Sequence, residues 1–159
     1  MITLATAADL PQILAIYAHA RAFMAQHGNP NQWGASRPTE ADITAHIVAR
    51  ELYVLREADA IHGVFAFILG EDPTYRVIEQ GAWLSDAPYG TIHAVASDGQ
   101  IHGLLSQIVA YCEQTTKHLR IDTHHDNAIM QHVILKNGFT RCGIIHIASG
   151  AERIAFEKV

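Results

Sequence analysis

The sequence is poor in cysteine, proline, tryptophan and positive charge, and each shortage closes off a class of protein. Its two cysteines, Cys112 and Cys142, stand far apart and form no Cys-x-x-Cys pair. That excludes a disulfide scaffold or a paired-cysteine zinc module and fits a reducing cytoplasm. Eleven Lys and Arg against sixteen Asp and Glu give a formal charge of -5 with neutral histidines. No basic field is present to draw in nucleic acid or an acidic membrane. The most apolar stretch, Ile61 to Leu69, is too short to span a bilayer. Met1-Ile2-Thr3-Leu4 lacks a basic leader segment, and Asp9 and Pro11 interrupt the next stretch of chain, so no signal peptide is expected.

What is present is a chain of 159 residues, 49% apolar and 17% charged. Repeats, low-complexity tracts and Pro/Gly/Ser linkers are missing, so residues 1–159 read as a single domain. A chain of this length buries about 68–70% of its unfolded surface and needs no metal or disulfide to fold. Histidine is plentiful: protonating all eleven would carry the charge from -5 to +6. Surface behaviour should therefore change below about pH 6.5, the ordinary histidine value.

Periodicity orders the elements. Ile2 to Leu4 reads as a short strand, followed by Thr6 and Asp9 as a helix start. Leu10, Ile13, Leu14, Tyr17 and Arg21 then share one helical face, broken at Gly28-Asn29-Pro30-Asn31. Thr39 to Asp42 repeats the capping pattern before a helix marked by Ile43 and Ile47. Leu52 to Glu57 and Ile61 to Leu69 form a hairpin across Ala58-Asp59-Ala60. Gly70 to Gly90 is a long connection, of the kind that often carries function. Thr91 to Ser97 is a strand, Leu104 to Cys112 a helix and Leu119 to Thr123 a strand. Asn127 to Asn137 is a helix closed by Gly138, and two further strands end the chain. The order predicts an α/β fold: a mixed, mostly antiparallel central sheet with helices on both faces.

The most informative segment runs from Val95 to Ser106, with Gln100, Ile101, His102, Gly103, Leu104 and Leu105 between strand and helix. Glycine at such a junction lets backbone approach a ligand, and first-turn amides are unpaired, so the turn could seat phosphate. A capped tight turn would use the same residues. No Gly-Lys-Ser/Thr ends it, as a nucleotide-hydrolase loop would require, and three spaced glycines are absent.

In its element order, the turn Gln100 to Leu105, and Asn127 eleven residues before Gly138-Phe139, the chain resembles the GNAT superfamily of acetyl-CoA-dependent N-acetyltransferases. The likeness spans nearly the whole sequence. Gly28-Asn29-Pro30-Asn31-Gln32-Trp33, Asp72-Pro73-Thr74-Tyr75 and Leu119 to His124 with Asp126-Asn127 narrow it to a small bacterial branch. The resemblance implies the GNAT fold and acetyl-CoA as cosubstrate. It implies pyrophosphate at Gln100 to Ser106 and the pantetheine arm along Thr91 to Ser97. It further implies that Val95 N–H polarises the thioester carbonyl and that Asn127 contacts the cosubstrate. Two positions depart from the pattern: Leu105 stands where the loop's last small residue belongs, and Ile134 where many members carry a tyrosine acid.

Acetyl transfer to a small-molecule primary amine needs a base, and His93 and His124 flank the implied arm; both titrate near working pH. Either histidine could instead be bonded to backbone. Asp122 is a further candidate, or a partner for His124. Trp33 and Trp83 lie in the long connections and could shape an acceptor pocket, with Arg21 or Arg37 meeting a carboxylate, or could be packing anchors. Adjacent His124 and His125 on an extended chain point apart and chelate one ion poorly, so no metal is expected. A catalytically weak acyl-CoA-binding module is the alternative, favoured by Ile134 and Leu105, and a histidine-dependent interaction protein is a third. Strand edges near the C-terminus could pair two copies into a homodimer.

Overall fold

A computed structural model describes residues 1–159. The strands are β1 (Ile2–Leu4), β2 (Leu52–Glu57), β3 (Ala60–Leu69), β4 (Gly90–Ser97), β5 (Leu119–Thr123), β6 (Thr140–His146) and β7 (Glu152–Lys158). The helices are α1 (Leu10–Gln26), α2 (Glu40–Val48), α3 (Leu104–Cys112) and α4 (Ala128–Lys136). The chain order agrees with the periodicity throughout, with short 3-10 turns added at Ala7–Asp9 and Pro73–Tyr75. β4 and β5 pair in parallel, and the β1–β2, β2–β3, β5–β7 and β6–β7 pairs are antiparallel. The fold is thus a mixed, mostly antiparallel sheet flanked by helices. No helix is long and apolar enough to cross a membrane.

Internal contacts divide the chain into two compact units. The first comprises Met1–Phe67 and His93–Leu104. Its hairpin pairs Leu52 with Ala66 through Glu57 with Ala60, and Ala58 takes the left-handed backbone that so short a turn demands. α1 buries Ile13, Ile16, Tyr17 and Ala20, a stripe at helical spacing, against Val54, Val64 and Ala66 of the hairpin. Full burial of each Ile or Val side chain contributes about 1.5–3 kcal/mol. Both expected helix starts are present. Asp9 accepts from Thr6 N at 2.9 Å and pairs with Arg56 at 2.7 Å. Thr39 and Asp42 bond reciprocally, side chain to backbone, at 3.1 and 2.9 Å.

The second unit comprises Ile68–Ile92 and Leu105–Val159. β5 pairs with β7 along its whole length, while its ladder with β4 runs only from Gly90 and Leu119 to Ile92 and Ile121. α3 contributes Leu105, Ile108, Val109 and Cys112 to the interior, and α4 contributes Ile134. The connection from Gly70 to Tyr89 is pinned at several points. Asp72 caps Thr74 N at 2.8 Å, and Asp72 N donates to the Tyr89 hydroxyl at 2.8 Å. Glu79 exchanges backbone hydrogen bonds with Ile144. Gly81 and Gly143 make that approach possible, because a Cβ on either would collide with facing backbone.

Candidate active site

In the first unit the site begins at a break in β4. Ala94 lies at φ +53, a left-handed conformation that a residue with a side chain adopts only when its surroundings enforce it. The enforcing group is Tyr17: its buried hydroxyl donates to Ala94 O at 2.7 Å. Burial pushes the Tyr17 phenol up, so it stays a donor. His93 and Val95 flank this break, both half-buried.

The strand then runs into a turn built by its own side chains. Ser97 Oγ accepts from Gly99 N at 2.9 Å, and Asp98 Oδ1 from Gln100 N at 3.0 Å. Gln100 Nε2 donates back to Asp98 Oδ2 at 3.3 Å. His62 on β3 holds Asp98 twice, Nδ1 to Oδ2 at 2.7 Å and carbonyl oxygen to Asp98 N at 3.1 Å. Gly99 and Gly103 have φ +82 and +63. Gln100, His102 and Gly103 are exposed, Ile101 and Leu104 half-buried. The turn is a tied-down, glycine-bearing approach to the start of α3, where helical amides lack partners and anions are favoured. Sequence reading found the turn and missed its anchor. Asp98-Gly99 carries a local turn signal, whereas His62 lies 36 residues away and has none.

The acceptor candidates of this unit, Trp33, Arg21 and Arg37, each have a partner within it. Trp33 stands edge-on to Tyr17, with centroids 5.6 Å apart, and lies against the apolar core. Arg21 donates to Arg37 O at 3.3 Å, and Arg37 pairs with Asp42 at 3.3 Å.

In the second unit His124 is nearly buried, and its Nδ1 accepts the Asp126 amide at 3.0 Å. The neutral ring therefore carries its proton on Nε2. Burial holds its pKa below the usual histidine value, helped by His125 and Arg153 and opposed by Asp126. Accepting a proton on Nδ1 would cost His124 its bond from Asp126 N. Asp122 is held by the hydroxyl of buried Tyr75, which donates to Oδ2 at 2.6 Å. Burial and then Asp122 push that phenol well up, so Tyr75 remains the donor. Asn127 caps α4, accepting from Met130 N at 3.0 Å. Trp83 Nε1 donates to Tyr75 O at 2.8 Å.

One geometric expectation is corrected. His124 and His125 do not point apart: their rings stack with centroids 4.2 Å apart, and their ligand atoms and that of Asp126 lie within 4.8 Å of one another. The strand ends at Thr123, so these residues form a turn, where the alternation of an extended chain no longer applies. The His124 Nδ1 lone pair is already engaged by Asp126 N.

No protein-family model and no curated protein matches the chain, but solved structures do. A GNAT-family acetyltransferase from Streptococcus agalactiae is 30% identical over 100% of this chain and 94% of its own, with a TM-score of 0.90. This chain belongs to the GNAT family of acetyltransferases. Two more distant structures share the fold. A GNAT-family acetyltransferase from Listeria monocytogenes is 17% identical over 99% of this chain and 93% of its own, at TM-score 0.70. The yncA protein of Salmonella typhimurium, solved with its cofactor acetyl-CoA, is 16% identical over 99% and 91%, at TM-score 0.61.

The two departures from the GNAT pattern have a structural reading. Leu105 is 3% exposed, so its larger side chain joins the core and does not stand out over the turn, while Ser106 beside it is exposed. Ile134 is fully buried, with no proton to give.

Proposed function

We propose that the protein transfers an acetyl group from acetyl-CoA to a primary amine of a small molecule, by direct attack in a ternary complex. The observation that carries this reading is the kinship at 30% identity over the full chain with a GNAT-family acetyltransferase. The tied-down turn from Ser97 to Gly103 supports it, as does the acetyl-CoA bound to the Salmonella protein of the same fold.

Acetyl-CoA supplies an activated thioester; the amine nitrogen forms a bond to its carbonyl carbon, the C–S bond breaks, and the thiolate leaves. The protein's part is alignment, polarisation and proton removal. Residues from Gln100 through Ser106 seat the pyrophosphate, Asn127 contacts the cosubstrate, and Val95 N–H polarises the carbonyl as it becomes tetrahedral. The strained Ala94 linkage, locked by Tyr17, fixes where that amide points. His93 or His124 takes the proton from the ammonium, directly or through one water. With Ile134 in the place of an acid, the thiolate departs unassisted by a side chain there. Thiolates are tolerable leaving groups, since thiol pKa values lie near about 8.5. The buried, free Cys112 is no rival nucleophile, because burial and Glu113 push its thiol up to about 12. Two free buried cysteines also suit work in a reducing cytoplasm.

A second reading, an acyl-CoA-binding module without turnover, is favoured by Ile134 alone. Thiol release from acetyl-CoA across an amine panel, with calorimetry of acetyl-CoA binding, separates the two. Turnover supports transfer, binding without turnover supports the module, and the absence of both turnover and binding defeats both readings.

A further inference from the structure

In the second unit the connection between β3 and β4 folds over β5 and leaves a cavity of about 210 Å³. Arg120, from the middle of β5, reaches this cavity and is only 5% exposed. Its guanidinium carbon lies 3.9 Å from the ring centre of Trp83 and 4.0 Å from that of Tyr89. Both rings therefore pack on the guanidinium at cation–π distance. Nε donates to buried Glu157 at 2.6 Å, and Nη2 gives one proton to Ser85 O at 2.7 Å. Nη1 donates to nothing. Of the five N–H bonds of an arginine, three remain, two on Nη1 and one on Nη2, and at most one from each nitrogen can face outward as a pair, because the other Nη1 hydrogen points back toward Cδ. That end of the guanidinium is what Arg120 offers the cavity.

The remaining lining narrows the ligand. Glu71 is already paired with Arg76 at 2.7 Å, both exposed at the rim. Asp86, also lining the cavity, is exposed and forms no ion pair. A planar guanidinium edge matches a carboxylate bidentately, and the free Asp86 charge repels a second one. The wall also contains Tyr75, whose hydroxyl is bonded to Asp122 on the same strand as Arg120.

We infer that this cavity seats the carboxylate of the acceptor on Arg120, which makes small amines carrying one carboxylate the preferred substrate class. The inference rests on the acetyl-transfer reading for the word acceptor. Arg21 and Arg37, the other arginines that could meet a carboxylate, have the partners given above.

The test uses the wild-type protein, since replacing Arg120 would strand Glu157 and endanger folding. Amino acids of several lengths are compared with their primary amides in the thiol-release assay. A charge-assisted bidentate pair is worth a factor of about 10–100, so kcat/KM should favour the acid by that margin. Calorimetry with the N-acetylated product against its amide reads the same cavity without turnover and should show the same preference. Asp86→Asn should narrow the gap between amino monocarboxylates and aminodicarboxylates. Equal kcat/KM for acid and amide, or equal product affinities, overturns the inference and leaves acetyl transfer standing. Loss of all turnover and of acetyl-CoA binding is the separate signature of a failed functional reading.

Discussion

Glu157→Gln isolates what holds the β3–β4 connection in place. Glu157 is wholly buried on β7 and accepts from His118 Nε2 at 2.6 Å, from Arg120 Nε at 2.6 Å and from Leu84 N. His118 also faces Pro88 O through Nδ1 at 3.1 Å, so both its nitrogens meet acceptors. A glutamine has the shape of glutamate but one acceptor oxygen, and its NH₂ would face a donor. It would also leave the Arg120 charge buried without its counter-ion. Breaking one side of a buried pair costs about 3–5 kcal/mol. At about 2–4 °C per kcal/mol for a chain of this size, the melting temperature should fall by about 6–20 °C at pH 7. Burial alone would push the Glu157 carboxyl up; the donors His118, Arg120 and Leu84 N outweigh it and hold the group below the usual range. Its contribution is therefore present above the unfolded value of about 4.3 and lost as pH falls through the lower folded value. Thermal melts by circular dichroism should show the gap between wild type and variant shrinking in acid. Trypsin should also cut the variant faster after Arg76, the exposed basic residue of the connection. A melting temperature within about 2 °C of wild type, or a gap that does not change with pH, would refute the assignment.

Gly103→Asp places a carboxylate on the turn that is to meet pyrophosphate, and calorimetry should show acetyl-CoA affinity falling at least about tenfold; unchanged affinity counts against that seat. For the base, His93→Gln and His124→Gln are to be compared in full pH–rate profiles. The working form is the neutral ring, so kcat/KM rises with pH, and a missing base costs about 10²–10⁴-fold. If His124 is the base, burial and its neighbours His125 and Arg153 place the rising limb below the ordinary histidine value of about 6.5. Two wild-type profiles would mean that the amine arrives neutral and that positioning drives the reaction.

Much of this protein was legible in its sequence because the rules involved are local. Helical spacing of Ile13, Tyr17 and their neighbours, the Thr39–Asp42 cap, the hairpin at Ala58-Asp59 and the Gly103 turn each depend on residues within one or two turns of chain. The order of elements and the family pattern followed from them. Trp33 and Trp83 could not be assigned that way, since a loop tryptophan looks the same whether it packs or binds. The structure uses Trp33 for packing beside Tyr17, and stacks Trp83 on Arg120. Local rules also misled at His124-His125, where alternation was assumed beyond the point at which the strand stops. What only tertiary structure decided is the set of charges that meet from distant positions: His62 on Asp98, Tyr75 on Asp122, and Arg120 and His118 on Glu157. No periodicity encodes such pairs. Each exists because burial removes water from a polar group and forces it to find whatever partner the folded chain brings within about 3 Å.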